Sequence, residues 1–346
     1  MIEPRRYTNG RIALANLAAS IQALELRSAA RATFEGLVVL SQQLFVRGDL
    51  LGCIADHDRA ETIALEACAL APNAGTALFI RARLAQRFHH FREASALLDK
   101  AQAAGHPSGE IDAERASILQ ATGRYDAALA LRGELAKSEP GIATLGALAS
   151  LLAETGHWSA AESCYEAALD ADTGISPLPC SQLLFEWGVS AMRRRELGRA
   201  DELFASVAYV LPEHVPARGH RAEVALASGR PRFALELVTP LLEASDDPEY
   251  RAVHAEILAA LDDHEAAARE AERAADAYER LLARRPEAYA DHAAAFYLSI
   301  GNRPQRAFDL AVANWKLRDT PRSRSLLTRA RRAKAEAMRA VAKEVA

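Results

Sequence analysis

Residues 121–140 read ATGRYDAALALRGELAKSEP, and residues 154–172 read ETGHWSAAESCYEAALDAD. In both stretches an alanine stands three residues after an aromatic residue, and these two alanines lie 33 positions apart. Alanines recur at this spacing along the chain: Ala60, Ala94, Ala128, Ala161, Ala234 and Ala267. The successive intervals are 34, 34, 33, 73 and 33, where 73 is two periods plus a short insertion. Such a period predicts a solenoid in which each repeat is one pair of helices.

Other positions of the repeat follow the same period. A small residue stands twelve positions before each alanine: Gly48, Ala82, Ala116, Ala149, Ala222 and Ala255. A large or ring-bearing residue often stands three positions before: His57, Phe91, Tyr125, Trp158 and His264. Small residues let two helices approach closely, and the ring fills the space beside the turn. Pro72 and Pro140 fall twelve positions after an alanine, where proline would end the second helix because it has no amide donor.

This pattern resembles the tetratricopeptide repeat family, whose unit is a helix, a tight turn and an antiparallel helix. Residues 121–140 and 154–172 match best, and Trp187 and Tyr297 fit the aromatic positions of the motif. The resemblance covers roughly residues 41–315. It implies an all-α, right-handed helical-repeat solenoid of about seven to eight helix pairs with helical caps. The composition agrees, since half of the residues are hydrophobic and only 6% are aromatic.

We expect three segments along the chain. Residues 1–40 form an N-terminal helical cap, residues 41–315 form the solenoid, and residues 316–346 form a basic C-terminal capping helix. An insertion after Asp172 is where we expect a hinge, at 173–183.

Individual helix borders follow from the same patterns. We expect residues 28–48 to be one long helix that leads into the first repeat. The helix that holds Ala274 should run on to Arg284. Thr320 and Pro321 should begin the last helix as its N-cap and first residue, and that helix should end at about residue 345.

No catalytic constellation is present in the sequence. It has no glycine-rich phosphate loop, no HExxH and no nucleophile elbow, so we predict a protein that is not an enzyme and uses no cofactor. The four cysteines form no CxxC pair and no zinc-like spacing. Five histidines map to turns between paired helices: His57, His89, His90, His157 and His264. We predict no metal site, because neighbouring turns lie about 10 Å apart. A metal-linked accessory protein that uses His89 and His90 stays open as an alternative.

The concave groove, which the first helices of the repeats should line, is the expected binding surface. The side chains that should face it form a stripe that is roomy and weakly polar in the middle and acidic towards Glu223 and Glu256. The predicted peptide-binding residues are Phe79, Arg83, Gln86, Ser117, Gln120, Ser150, Met192 and Arg195. We therefore expect a non-enzymatic interaction scaffold that holds a peptide or protein segment in this groove.

The basic C-terminal segment supports an alternative function. Residues 316–346 carry ten Lys and Arg against three Asp and Glu, whereas the whole chain has a net charge of −4. A regulator that binds nucleic acid or a membrane surface through this helix therefore stays open, although a cap over the acidic solenoid is favoured and nucleic acid is an unlikely partner. The sequence does not identify the partner or the oligomeric state.

The first residues do not resemble a signal peptide, because they lack a continuous apolar core. No stretch reaches the roughly 20 apolar residues that would span a bilayer. We expect a cytoplasmic protein, with the earlier removal of a leader left open.

Overall fold

A computed structural model describes residues 7–344, which form nineteen helices and no strand. Sixteen of these helices pack as eight consecutive pairs. The first four pairs are α2 (Phe34–Leu51) with α3 (Ile54–Leu70), α4 (Gly75–Arg87) with α5 (Phe91–Ala103), α6 (Ser108–Ala121) with α7 (Tyr125–Ser138), and α8 (Ile142–Glu154) with α9 (Trp158–Asp170). The other four are α10 (Pro177–Arg193) with α11 (Leu197–Val210), α12 (Val215–Ala227) with α13 (Pro231–Val238), α15 (Pro248–Ala260) with α16 (His264–Arg284), and α17 (Pro286–Leu298) with α18 (Pro304–Leu317). The predicted all-α helical-repeat solenoid is confirmed.

Three helices lie outside the pairs. The helix α1 (Gly10–Ala30) precedes the first pair, and α19 (Pro321–Glu344) packs on α17 and α18 after the last. The short helix α14 (Leu241–Ala244) follows α13 after an interruption at Pro240. Proline at this point lacks the amide that would continue the hydrogen-bond ladder, so the second helix of this repeat is split in two.

The periodic small residues form the contacts within each pair. Ala60, Ala94, Ala128 and Ala234 are completely buried, as are Ala82, Ala116, Ala149, Ala222 and Ala255 from the first helices. A methyl group at both facing positions lets the two backbones approach closely, and larger side chains fill the layers between neighbouring pairs. The spacing that identified the repeat therefore has a packing cause.

Two predicted helix borders are confirmed and one is wrong. The helix α16 does end at Arg284, and Thr320 does cap α19, because its Oγ1 accepts a hydrogen bond from the Ser323 amide at 3.1 Å. The single helix expected over 28–48 is instead broken at residues 31–33. Thr33 causes the break, since its extended backbone and its side-chain oxygen, 3.2 Å from the Gly36 amide, start a new helix there. The predicted end of α19 at residue 345 lies outside the described residues.

The segment borders proposed from the sequence stay predictions. The helix α2 runs without interruption across residue 40, and the hinge expected at 173–183 covers the start of α10. Within residues 7–344, no helix is both long and apolar enough to cross a lipid bilayer.

The solenoid curls until its second half touches its first. Asp246, in the segment before α15, accepts hydrogen bonds from the amides of Ile54 and Ala55 at 2.6 and 2.9 Å. It therefore caps α3, a helix that precedes it by almost two hundred residues, and Ser245 beside it donates to the carbonyl of Gly52.

Similar contacts continue along both sides of this seam. Arg285 pairs with Glu61 and with Asp58, at 3.1 Å for the latter, and its guanidinium lies 3.5 Å from the centroid of the Phe88 ring. Nearer the C-terminus, the backbone of Asp319 packs so closely against Gly123 that a Cβ there would collide with the Asp319 carbonyl, and the φ of Gly123, 79°, also favours glycine. Successive turns of the superhelix thus lie against each other, and cavities lie between them.

Candidate functional site

A cavity of about 480 Å³ lies where the two halves of the solenoid meet, and we call it the central chamber. Its walls come from both halves: α2, α3 and α4 on one side, and α10, α12, α15, α16, α17 and the start of α19 on the other. The chamber therefore exists only because the superhelix closes. Its lining is rich in ionisable and hydroxyl-bearing side chains: Asp49, His57, Arg87, His89, His214, His220, Glu223, Asp247, Glu249, Tyr250, Tyr278, Tyr289, Asp291, His292, Arg318 and Arg322.

A chain of ion pairs crosses the chamber wall formed by α15 and α17. His292 Nδ1 lies 3.5 Å from Glu249 Oε2, and Arg318 Nη1 lies 3.3 Å from Asp291 Oδ2. The charge of Asp291 and the pair with Glu249 raise the pKa of His292 to about 9. Burial alone would raise the pKa of Glu249, but His292 outweighs it and lowers that pKa below its ordinary value. This part of the wall is therefore charged at neutral pH.

Asp247 has a different environment from its neighbours. Burial and the nearby Glu249 carboxylate raise the pKa of Asp247, and its Oδ1 accepts a hydrogen bond from the Glu249 amide at 2.9 Å. No cation of residues 7–344 forms an ion pair with it. Asp247 is thus an acidic group of the chamber with no cation at ion-pair distance, and the charge of His292 acts on it only from further away.

Two other histidines of the chamber are neutral. Burial, and for His89 also the Arg318 charge, lower the pKa of both His89 and His214 to about 4. His214 Nδ1 accepts a hydrogen bond from the Ala217 amide at 3.2 Å, so the proton of the neutral ring is on Nε2. That Nε2 is buried and has no hydrogen-bond partner within residues 7–344.

A second cavity, of about 500 Å³, lies between α6, α7, α8 and α10, and we call it the side hollow. Its floor is made of small and apolar residues: Ile142, Ala143, Gly146, Ala147, Pro179 and Leu183. Its polar rim consists of Ser117, Gln120, Arg132, Ser150, Gln182 and Glu186. Gln120 is held on both sides, because its amide nitrogen donates to Glu154 at 2.7 Å and its oxygen accepts from Arg132 at 2.9 Å.

Arg132 is the unexpected residue of the side hollow. Its position in the repeat, four after the periodic alanine, is otherwise buried and apolar or aromatic: Ala64, Leu98, Tyr165, Val238 and Ala271. Burial lowers the pKa of Arg132, its guanidinium forms no ion pair with the carboxylates of residues 7–344, and its Nε has no hydrogen-bond partner there. Because the second helices were not expected to face the groove, the sequence analysis missed it. The sequence nevertheless distinguishes Arg132, because it is a charged residue at a repeat position that is otherwise apolar or aromatic.

The two cavities are connected. A smaller cavity of about 200 Å³ shares Ser117, Gln120 and Arg132 with the side hollow, and Arg318 and Arg322 with the central chamber. The interior of the superhelix is therefore a continuous series of spaces.

The structure brings together some of the residues predicted for peptide binding. Ser117, Gln120 and Ser150 share the side hollow. Arg83 and Gln86 line a separate cavity of about 120 Å³, where Arg83 faces Glu114 at 3.8 Å.

The other predicted residues lie elsewhere. Phe79 is buried in the core between α4, α5 and α6, where it stacks on His106 at 4.2 Å. Met192 packs against the core around Trp187, and Arg195 is exposed in the turn after α10 with a φ of 63°. None of the three lines the side hollow.

The structure also shows where the residues lie on which the two alternative functions rest. His89 Nδ1 lies 2.9 Å from the Glu287 carbonyl, and His90 lies 3.9 Å from the Glu287 carboxylate, so both histidines take part in the seam between the two halves. No group of three metal-ligating side chains occurs in the described part of the chain. The basic helix α19 buries Leu326, Leu327 and Ala330 against the last helix pair.

Comparison with known proteins finds similarity in structure only. No family model matches the chain, and no curated protein matches its sequence. The chain is similar to the structure of the anaphase-promoting complex hetero-tetramer Cut9-Hcn1, with a TM-score of 0.51 and 15% identity over 85% of this chain and 55% of that one. It also resembles a tetratricopeptide repeat protein from Parabacteroides merdae, with a TM-score of 0.47 and 16% identity over 70% of this chain and 92% of that one.

A third similar structure is PilW, described as a type IV pilus biogenesis factor. It has a TM-score of 0.46 and 17% identity over 61% of this chain and 94% of that one. At these identities the similarity to Cut9-Hcn1 shows the fold alone, which is an all-α helical-repeat solenoid like those of tetratricopeptide repeat proteins.

Proposed function

We propose that this protein is a non-enzymatic interaction scaffold that holds an extended peptide or protein segment in its concave interior, at the side hollow. The observation that carries the proposal is the hollow itself: about 500 Å³ of open space with a floor of small and apolar residues and a rim of hydrogen-bonding groups. Such a surface suits a peptide, whose backbone offers donors and acceptors at regular intervals while its side chains bury apolar area.

The floor of the side hollow allows close approach. Ala143, Gly146 and Ala147 follow one another along the inner face of α8, so a bound segment can lie near the helix without a steric barrier. A preformed surface of this kind loses little entropy on binding, because its helices are already ordered.

The rim of the side hollow has two groups with unused bonding capacity. The Arg132 guanidinium lines the hollow and forms no ion pair in residues 7–344, so it can pair with a carboxylate of the segment. Glu186 accepts from Gln182 at 3.0 Å, and burial raises the pKa of its carboxyl group. A donor from the segment would relieve the cost of that burial.

The fold has a precedent in this role. Cut9, which is similar in fold, was solved within a hetero-tetramer with Hcn1, so a chain of this architecture can serve in an assembly. We infer that this chain shares with Cut9 the capacity to bind another protein, and not the same partner.

A random peptide library displayed on phage and selected on the intact chain tests the proposal. Recovered peptides should bind the wild type, and Ala147→Trp, which fills the hollow, should weaken them by about tenfold or more. The matched control is Ala167→Trp, an exposed position on α9 of the same helix pair, which should leave the affinity unchanged. If no peptide is enriched, or if both variants bind equally well, the proposal is wrong.

Arg132 gives a second test with the same peptides. Arg132→Leu restores an apolar residue at its repeat position and should preserve the fold, as circular dichroism would show, while it weakens peptide binding. Arg124→Leu removes an exposed arginine at the start of the same helix and should have no effect.

A further inference from the structure

We propose that the central chamber binds a small molecule with a protonated amine and an anionic group, the amine directed to Asp247, Tyr250 and Tyr278 and the anionic group to Arg322. The charged groups of the chamber are not part of the side hollow, although the two cavities are connected, and this inference does not rest on the proposed function.

The balance of charge in the chamber is the first argument. Most of its charged groups have a partner of opposite sign: Arg318 with Asp291, His292 with Glu249, His220 with Glu223, and Arg87 with Asp49. Two lining groups have no ion-pair partner in residues 7–344, and they have opposite sign: the half-buried Asp247 and the exposed Arg322. A ligand with one charge of each sign would complete both pairs.

Unpartnered hydroxyl groups are the second argument. Tyr250 and Tyr278 are only 7% and 2% exposed, line the chamber, and form no hydrogen bond through their hydroxyl groups within residues 7–344. Although the two side chains are buried, their hydroxyl oxygens are open to the chamber and free to bond to a ligand. An ammonium group offers three donors, which two tyrosine oxygens and a carboxylate can accept. The aromatic rings add a favourable electrostatic surface for a cation.

Two glycines leave space for the aromatic rings of the chamber wall. A Cβ at Gly219 would collide with the Tyr250 ring, and a Cβ at Gly48 would lie 2.6 Å from the His57 ring. Both glycines lie within helices, where alanine is intrinsically favoured over glycine by about 1 kcal/mol. The Tyr250 and His57 rings occupy the space that the alanine methyl groups would need.

The size of the chamber limits the class of ligand. A volume of about 480 Å³ is typical of sites for small molecules. A cavity of this volume is too small for a folded domain.

Calorimetric titration of the intact protein with three probes of equal chain length tests the inference. The probes are δ-aminovalerate, which has both charges, pentylamine, which has only the amine, and valerate, which has only the carboxylate. We expect δ-aminovalerate to bind best, pentylamine about tenfold more weakly, and valerate not measurably.

Variants assign the two ends of the ligand. Asp247→Asn should abolish binding of both amines, and Arg322→Gln should reduce δ-aminovalerate to the affinity of pentylamine. Tyr278→Phe keeps the ring but removes the hydroxyl, and should weaken both amines without unfolding the protein. Matched controls are Glu243→Gln and Arg329→Gln, which change exposed charges nearby and should have no effect.

Two results would overturn the inference: valerate binding as tightly as δ-aminovalerate, or no heat from either amine up to about 10 mM. Failure of the peptide proposal would be distinguishable, because Ala147→Trp blocks the side hollow and leaves the chamber groups unchanged.

Discussion

At the scale of single residues, replacing two helical glycines by alanine should change the stability of the protein in opposite directions. Gly133 has no atom within 4 Å of the position of an added Cβ, whereas the same atom on Gly219 would collide with the Tyr250 ring. Gly133→Ala should therefore stabilise the protein by about 1 kcal/mol through helix propensity. Gly219→Ala should destabilise it by about 1–3 kcal/mol through overpacking. Urea denaturation of both variants measures the difference, and stabilisation by both would mean that Tyr250 is not held against Gly219.

The raised pKa of His292 predicts how the stability of the protein depends on pH. Its pKa is raised to about 9 by Asp291 and Glu249, while an unfolded histidine has a value near 6.5. A raised folded pKa means that the protonated form is favoured by folding, so its contribution is complete below pH 6.5 and is lost as pH rises through 9. The groups that face this ring from neighbouring helices include His220 and Arg322, and the Arg322 charge opposes its protonation.

The measurement is the melting temperature between pH 6.5 and pH 9. The melting temperature of the wild type should fall over this interval, and that of His292→Gln should fall less. His264→Gln, which changes an exposed histidine outside the chamber, should follow the wild type. Parallel curves for all three proteins would contradict the assignment.

At the scale of helices, α19 separates two interpretations of the basic C-terminal segment. Leu326 and Leu327 of this helix are buried, whereas Arg329 is exposed. As a cap, the helix should lose stability when its apolar side is cut back, so Leu327→Ala should lower the free energy of unfolding by about 2 kcal/mol. Arg329→Ala should change it by less than about 0.5 kcal/mol. Equal and small effects in chemical denaturation would instead favour a helix that is free to bind other surfaces.

Helices and their pairing could be predicted from the sequence, because each rests on local contacts that repeat. Ala128 and Ala161 recur at one spacing since each must fit between two helices of its own repeat. The break at residues 31–33 was missed because a capping threonine, Thr33, is a weaker signal than a continuous run of helix-forming residues.

The residues that line the two candidate sites were only partly predictable from the sequence. Ser117, Gln120 and Ser150 share the side hollow because their place on the first helices was readable from the period. Phe79 was not, because it belongs to the core between repeats and stacks on His106. The central chamber was wholly missed, since it depends on the contact of Asp246 with Ile54 and the repeat pattern does not encode how far the superhelix curls.

At the scale of the whole molecule, polar contacts across the seam join the two halves of the superhelix. Asp246 caps α3 across the seam, and Arg285 reaches Glu61 and the Phe88 ring across the same seam. Asp263 and Arg303 make the same kinds of bond within one region: Asp263 caps its own helix through the Ala266 amide at 3.1 Å, and Arg303 pairs with Glu272 at 3.1 Å. The main difference between the two sets is that only the first joins the halves of the molecule.

This difference predicts the behaviour of two double variants. Asp246→Ala/Arg285→Ala and Asp263→Ala/Arg303→Ala should each lose at least about 1–2 kcal/mol of stability, because each removes one helix cap and the ion pairs of one arginine. Only the first should also have a larger radius of gyration in small-angle X-ray scattering, and only the first should lose binding of δ-aminovalerate, since the chamber needs both halves. Equal scattering by both variants would show that packing between the turns, not these contacts, holds the superhelix closed, because the turns would then stay in place without the cap on α3.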